Sequence, residues 1–281
     1  MGRNKLFLIV GPTACGKTDY SISLAKEIGS PIISCDSRQI YRELKIGTAP
    51  PSESQLREVR HYFIQSHSIF DYYTAGRYEL DAISLMNELF KERSALVMVG
   101  GSGLYADAVC YGLDDFPCPD IDIRESLISR IKSEGVESLA HELKILDPES
   151  YNFIDISNPQ RVIRALEVVL TTGKKFSSFK SFCRKERDFD IERVVIERER
   201  SDLYDRINKR TDTMISMGLV DEARALLPNK NLTALKTVGY RELFDHFEGK
   251  TTLEEAVELI KRNTRRYAKR QITWFKKIKK G

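Results

Sequence analysis

The residues with the clearest chemistry begin ten positions into the chain. Gly11-Pro12-Thr13-Ala14-Cys15-Gly16-Lys17-Thr18 satisfies the pattern G-x-x-x-x-G-K-[ST] in full. The two glycines let the backbone turn tightly and gather several N–H groups into one concavity. Lys17 adds a mobile positive charge, and Thr18 supplies a hydroxyl able to ligate a divalent cation that bridges phosphate oxygens. Residues Gly11 to Thr18 therefore read as a site for a phosphate or diphosphate. Asp36 follows, with Ser37, Arg38 and Gln39 behind it. Its carboxylate suits proton transfer, and equally suits the capping of a helical turn. Arg206 and Arg210, one helical turn apart on one face, are further candidates to meet an anion.

These residues need elements to position them. The apolar run Leu6-Phe7-Leu8-Ile9-Val10 predicts a buried strand ending on Gly11, and Ile22, Leu24, Ala25 and Ile28, closed by Gly29, predict an amphipathic helix after it. Pro31-Ile32-Ile33-Ser34-Cys35 is a second strand, ending on Asp36. In a parallel sheet the C-terminal strand ends form the ligand crevice, which would put Asp36 beside the glycine loop. A third strand, Ala95-Leu96-Val97-Met98-Val99, runs into Gly100-Gly101-Ser102-Gly103. An ATP-hydrolysing protein usually has an acidic residue there, and bare backbone is expected to let a ligand approach closely. A helix over 76–93 is expected to bury Leu80, Ile83, Leu85, Met86, Leu89 and Phe90.

The character changes at the proline-marked stretch 114–120. Helical patterns follow over 123–134, 137–146 and from Asn158 through Leu170. Residues 174–189 mix cations with Phe176, Phe179, Phe182 and Phe189, a composition that suits an RNA-facing surface or a solvated loop. The chain returns to the sheet at Arg193-Val194-Val195-Ile196, and helices follow over 201–217, 219–227 and about 253–278. The last is expected to turn Val257, Ile260, Tyr267, Ile272, Phe275 and Ile278 to the core. The predicted division is a catalytic core of 1–113 with 191–281, and a helical insertion of 114–190.

Composition narrows the class. With 281 residues, 41% hydrophobic and 31% charged, the chain can bury a large core in one or two domains. No apolar run approaches the ~20 residues that span a bilayer, so no membrane partner is expected. The start leads straight into a strand, and no leader is expected. Cys15, Cys35, Cys110, Cys118 and Cys183 are odd in number and form no C-x-x-C. They read as free thiols in a reducing cytoplasm. His61, His67, His141 and His246 share no metal-ligand spacing and are expected to be structural or superficial. The net charge of +4 is uneven: ten basic and no acidic residues lie between Lys261 and Lys280, while 35 basic residues elsewhere face 41 acidic ones. A polyanionic partner at the basic end is favoured over a merely solubilising helix.

As a set, the motifs resemble the tRNA dimethylallyltransferase (tRNA isopentenyltransferase) family. GPTACGKT is similar to its P-loop, Asp36-Ser37-Arg38-Gln39-Ile40-Tyr41 to its D-S-x-Q-x-Y, and Gly47-Thr48-Ala49-Pro50-Pro51 to its G-T-A-K-P. Gly100-Gly101-Ser102-Gly103-Leu104-Tyr105 resembles G-G-T-G-L-Y, and Asn158-Pro159-Gln160-Arg161-Val162-Ile163-Arg164-Ala165-Leu166-Glu167 matches N-P-Q-R-V-I-R-A-L-E. Gly239-Tyr240-Arg241-Glu242 and the run from Tyr267 to Phe275 complete the series. Ser102 stands where the family has threonine, Pro50 where it has lysine, and His61-Tyr62-Phe63-Ile64-Gln65 where it has H-H-L-I-D. The chain stops soon after Trp274, without the tail many members carry.

The resemblance implies an α/β fold, a P-loop NTPase-like parallel sheet flanked by helices with a helical insertion domain. It implies transfer of a dimethylallyl group from dimethylallyl diphosphate to the exocyclic N6 amine of the adenosine 3′-adjacent to the tRNA anticodon. Lys17, Thr18 and Mg2+ would stabilise the departing diphosphate, with Arg206 and Arg210 closing the cradle. Asp36 would take the proton of the amine, and Ser102 would hold Asp36 or the amine. Asp36, Ser37, Arg38, Gln39, Ser102, Arg124, Gln160, Arg161, Val162, Ile163, Arg164, Gly239, Tyr240 and Arg241 are the implied contacts to the anticodon stem-loop. The chain is expected to be a cytoplasmic monomer. Prenylation of free AMP or ATP, a P-loop small-molecule kinase and a non-catalytic RNA-binding protein are the alternatives.

Overall fold

The computed structural model describes residues 3–117, 120–180 and 184–278. Cys118, Pro119, Phe182, Cys183, Lys279 and Lys280 lie outside the described residues, as do the side chains of Lys277 and Ile278. The first unit comprises Met1–Gly112 and Glu186–Gly281, the second Leu113–Lys185. The chain re-enters the first unit earlier than residue 191. Arg187 already belongs there, donating to the carbonyls of Ala108 and Val109 and pairing with Glu79 at 2.8 Å.

The first unit is built on β1 (Asn4–Val10), β2 (Ile32–Ser34), β3 (His61–Tyr62), β4 (Ala95–Gly100) and β5 (Phe189–Val195). All pair in parallel, in the order β3-β2-β4-β1-β5, with Leu8 opposite Met98 on one side and Arg193 on the other. Helices α1 (Lys17–Glu27), α2 (Glu53–Glu58), α3 (Ala75–Leu89) and α4 (Gly103–Tyr111) connect the strands. Continuous apolar strands make sense only if both faces are covered. Leu6, Leu8, Leu96 and Met98 pack with Tyr78, Ala82 and Met86 of α3 on one face, and Ile9, Ile32 and Val97 meet Ile22 and Ala25 of α1 on the other. The buried stripe of α3 thus begins at Tyr78, while Leu80, expected in the core, is 64% exposed.

The second unit holds α5 (Ile121–Glu134), α6 (Val136–Leu146), α7 (Pro148–Phe153) and α8 (Pro159–Thr172). Asn158 caps α8 by accepting from the Gln160 amide, and Pro159 fills the first helical position, where no N–H is needed. Leu127, Leu139, Leu143, Val162, Ile163 and Leu166 form the core. Phe176 joins them, stacked on Phe116 at 4.5 Å between ring centroids, and Phe179 packs beside them. Phe189 is buried in the core of the first unit. The RNA-surface reading of these rings is therefore corrected: they close hydrophobic cores, because an unpaired ring is more stable out of water.

The first unit resumes with α9 (Arg200–Ser216), α10 (Leu219–Leu226), α11 (Tyr240–Phe247) and α12 (Leu253–Ile278). Helix α12 buries Ala256, Ile260, Ala268, Gln271 and Phe275. Tyr267 faces a cleft instead of the core.

Candidate active site

A cleft of about 790 Å³ lies in the first unit at the C-terminal ends of β1, β2 and β4. Thr13, Ala14, Gly16, Lys17 and Thr18 line it. Gly16 at φ 99° and Ala14 at φ 64° turn the loop into the helix. Three cations hold the outward carbonyls: Lys17 Nζ donates to Pro12 O at 2.7 Å, Arg206 Nε to Ala14 O at 2.8 Å, and Arg198 Nε to Cys15 O at 2.8 Å. Arg210 Nη1 donates to Thr13 Oγ1 at 3.3 Å. The expected pairing of Arg206 and Arg210 across from the loop is thus present, set by their spacing on α9. Burial, with Arg210 nearby, holds the Lys17 ammonium below the usual lysine value, while the negative charge of Asp36 pulls it upward. Lys17, Arg210 and Asp36 therefore share one electrostatic site.

Not every loop residue faces the cleft. Gly11 and Pro12 border a second cavity of about 320 Å³, and the Cys15 thiol packs against Leu203, Ile207 and Ala268. A Cβ on Gly11 would stand 2.5 Å from the carbonyl oxygen of Ile196, so its glycine serves backbone packing. The Thr13 amide is already donated to Gln271 Oε1 at 2.8 Å. Gly11, Pro12 and the Cys15 side chain, expected at the diphosphate, thus do not line the cleft.

Asp36 uses one carboxylate oxygen for structure. Its Oδ1 accepts from the amides of Arg38 at 2.9 Å and Gln39 at 3.3 Å, while Oδ2 meets no protein donor among the described residues. Capping and proton transfer are therefore compatible in one residue. Ser102 Oγ accepts from the Ser37 amide at 2.9 Å and donates to Ser37 Oγ at 3.0 Å. It steadies the residue after Asp36 and does not line the cleft. Gln39 Nε2 donates to the carbonyls of Thr48 and Ala49, and Arg38 Nη1 to Thr233 O.

The glycines after β4 answer to protein neighbours. A Cβ on Gly100 would strike Cys35 at 2.5 Å, one on Gly101 would meet Gln271 Nε2, and one on Gly103 the Trp274 ring. Gln271 Nε2 donates to Gly101 O, and Trp274 Nε1 to Asp107 Oδ2. Gly100 and Gly101 also line the cleft, with Cys35 and α12 packed against the same backbone.

Tyr267 is a site residue that the sequence pattern missed. Burial first, then the charge of Asp36, push its hydroxyl up to about 12. Arg270 and Gln271 share its face of α12 and line the cleft with it. His61 also lines the cleft. Its Nδ1 is 2.8 Å from Val59 O, its Nε2 has no partner, and burial lowers its pKa and keeps the ring neutral.

The expected RNA contacts divide sharply. Gly239 and Arg241 line the cleft, whereas Tyr240 is 0% exposed, with its hydroxyl 2.6 Å from Glu222. In the second unit Arg124 and Arg164 both donate to the buried Glu167 carboxylate, at 3.1 and 3.0 Å. Val162 and Ile163 are core residues. Gln160 and Arg161 are exposed at the start of α8, although Gln160 accepts from Arg124. Direct side-chain contact with RNA by Tyr240, Val162 and Ile163 is therefore corrected, since burial removes them from any partner.

Among the described residues no cluster of His, Cys, Asp and Glu could hold a metal ion by itself. Thr18 lines the cleft, and its hydroxyl has no protein partner among the described residues. That donor fits a magnesium ion bound mainly through phosphate oxygens and water, the usual arrangement for this cation.

A parallel sheet with a phosphate loop after β1 and a cleft over the strand ends defines a P-loop NTPase-like fold. The chain belongs to the IPP transferase family, whose model matches residues 39–278. It is 52% identical to a tRNA dimethylallyltransferase of Christiangramia forsetii over 98% of this chain and 91% of that protein. A full-length tRNA isopentenylpyrophosphate transferase from Bacillus halodurans has 37% identity and a TM-score of 0.68, over 98% of this chain and 87% of that one. A eukaryotic dimethylallyltransferase acting on tRNA, 23% identical, shares the fold at a TM-score of 0.79 over 96% of this chain and 69% of that one.

Proposed function

We propose that the protein transfers a dimethylallyl group from dimethylallyl diphosphate to the N6 amine of the adenosine 3′-adjacent to the anticodon of tRNA. One observation carries the reading. A carboxylate with a free oxygen, Asp36, shares a cleft with Lys17 of the phosphate loop and with Arg206 and Arg210, which reach that loop from α9.

In this mechanism the N6 lone pair attacks the allylic carbon while its bond to the diphosphate oxygen breaks. Negative charge grows on the departing diphosphate, where Lys17, Arg206, Arg210 and the free amides of the first turn of α1 stabilise it. The amine proton passes to Asp36 Oδ2, a transfer worth roughly 10²–10⁴ in rate. Ser102, through its two bonds to Ser37, keeps the Asp36–Ser37 backbone in place. Mg2+, held by Thr18 and the diphosphate, would supply further charge neutralisation. The adenine must first leave its stack, at a cost of a few kcal/mol. Arg38, Gln39, Gly239 and Arg241 in the first unit, and Gln160 and Arg161 in the second, are assigned to the RNA.

The proposed setting is a cytoplasmic monomer, in keeping with the buried free thiols of Cys15, Cys35 and Cys110. No helix among the described residues is long and apolar enough to cross a membrane. The test is nucleoside mass spectrometry after incubating the protein with dimethylallyl diphosphate, Mg2+ and an anticodon stem-loop. One adenosine should gain one prenyl unit. Steady phosphate release from ATP with a small alcohol, and no prenylated adenosine, would favour the kinase reading.

A further inference from the structure

The segment 44–49 is held from below by a single carboxylate that the mechanism above does not use. Glu222, on α10, accepts through Oε2 from the amides of Lys45 and Ile46, both at 2.9 Å. Its Oε1 accepts from the Gly47 amide at 3.0 Å and from the Tyr240 hydroxyl at 2.6 Å. Three consecutive backbone donors on one carboxylate fix a loop far more tightly than a neutral acceptor would. Tyr240 is the second half of the clamp. It is fully buried, and a Cβ at Gly47 would come within 2.6 Å of its hydroxyl, so only glycine fits between loop and ring. Burial first, and then Glu222, raise the tyrosine pKa, so the hydroxyl keeps its proton and donates it.

What the clamp holds is part of the cleft wall. Gly47, Thr48 and Ala49 line it, with Ala49 in the left-handed region at φ 45°. The Thr48 and Ala49 carbonyls accept from Gln39 Nε2 at 3.2 and 2.9 Å, and the Gln39 amide donates to Asp36 Oδ1. A continuous chain of hydrogen bonds therefore runs from Glu222 through the loop and Gln39 to Asp36. We infer that Glu222, with Tyr240, is a positioning residue for the transfer, acting through this loop on the orientation of the Asp36 carboxylate.

The inference rests on the proposed role of Asp36 as proton acceptor, and its test separates the two. Glu222→Gln places an amide donor against backbone donors. In the full chain it should lower kcat for stem-loop prenylation at least about tenfold, since small misplacements of reacting groups are costly. KM for the prenyl diphosphate and for the stem-loop should stay within about threefold. On an Asp36→Asn background the same change should cost less than about threefold, the non-additivity expected of residues acting through one another. A full tenfold loss on that background overturns the positioning role while leaving Asp36 as the base. A fall in thermal stability with kcat per folded molecule intact overturns it too. Near-normal turnover by Asp36→Asn alone contradicts the role of Asp36 itself, and with it this inference. If Glu222→Gln does not fold, Tyr240→Phe decides. It keeps the carboxylate and the ring, and it should lower kcat about threefold or more with both KM values held; unchanged kcat overturns the inference.

Discussion

Asp36 divides its two oxygens between structure and chemistry, and that division can be tested by one isosteric change. Asparagine at 36 keeps an oxygen to accept from the Arg38 and Gln39 amides but cannot take up a proton. Asp36→Asn should therefore lower kcat by at least about 10² while tRNA affinity stays within a few-fold and the fold is retained. Steady-state kinetics beside a binding measurement checks this; near-normal turnover would leave Asp36 as a cap only. Asp36 was singled out in the sequence because it follows an apolar strand, and Lys17 and Thr18 because they close the G-x-x-x-x-G-K-[ST] pattern that opens α1. Tyr267 and Tyr240 were misread. Periodicity sorts a helix into apolar and polar faces, and it cannot tell a cleft from a core. Tyr267 was assigned inward and lines the cleft, and Tyr240 was assigned to RNA and is buried.

At the scale of elements, spacing carried more information than composition. Arg206 and Arg210 reach the phosphate loop together because they are one turn apart on α9. The mixed stretch 174–189 misled because rings and cations look alike whether exposed or folded inward, and only tertiary packing buries Phe176. Helix α7 has six residues, too short for a periodic signal, yet the residue that caps it is an organising group of the second unit. Asp147 is 0% exposed and accepts from the amide and hydroxyl of both Ser150 and Ser177. Burial alone would raise its pKa, but these four donors outweigh it and leave the carboxyl lowered. A lowered folded-state value means its stabilisation is complete above the unfolded value of about 3.9 and is lost as pH falls through the folded one. Asp147→Asn should cost about 1–3 kcal/mol near neutral pH. Its stability should also lack that part of the acid dependence. Denaturant titrations followed by circular dichroism at neutral and acid pH would show both; an unchanged midpoint would contradict the assignment.

For the whole molecule, the change of pattern near residue 114 lies beside the start of the second unit at Leu113, and that unit ends at Lys185, before the expected 190. The charge asymmetry was legible as well: Arg262 and Arg266 are exposed on α12 with no acidic partner among the described residues. What composition could not say was which insertion residues are free to meet RNA, because Arg124 and Arg164 are tied to Glu167. A free nucleotide would need only the cleft beside Asp36. An anticodon stem-loop also gives a use to the exposed Arg161 and to the cations of α12, since extracting one base requires a grip on the backbone around it. The decisive measurement is kcat/KM for an anticodon stem-loop carrying adenosines 3′ of the anticodon, beside that for AMP, with dimethylallyl diphosphate as donor to both. Efficient prenylation of the stem-loop with negligible activity on AMP is expected. Comparable values, or a preference for AMP, would contradict tRNA as the acceptor.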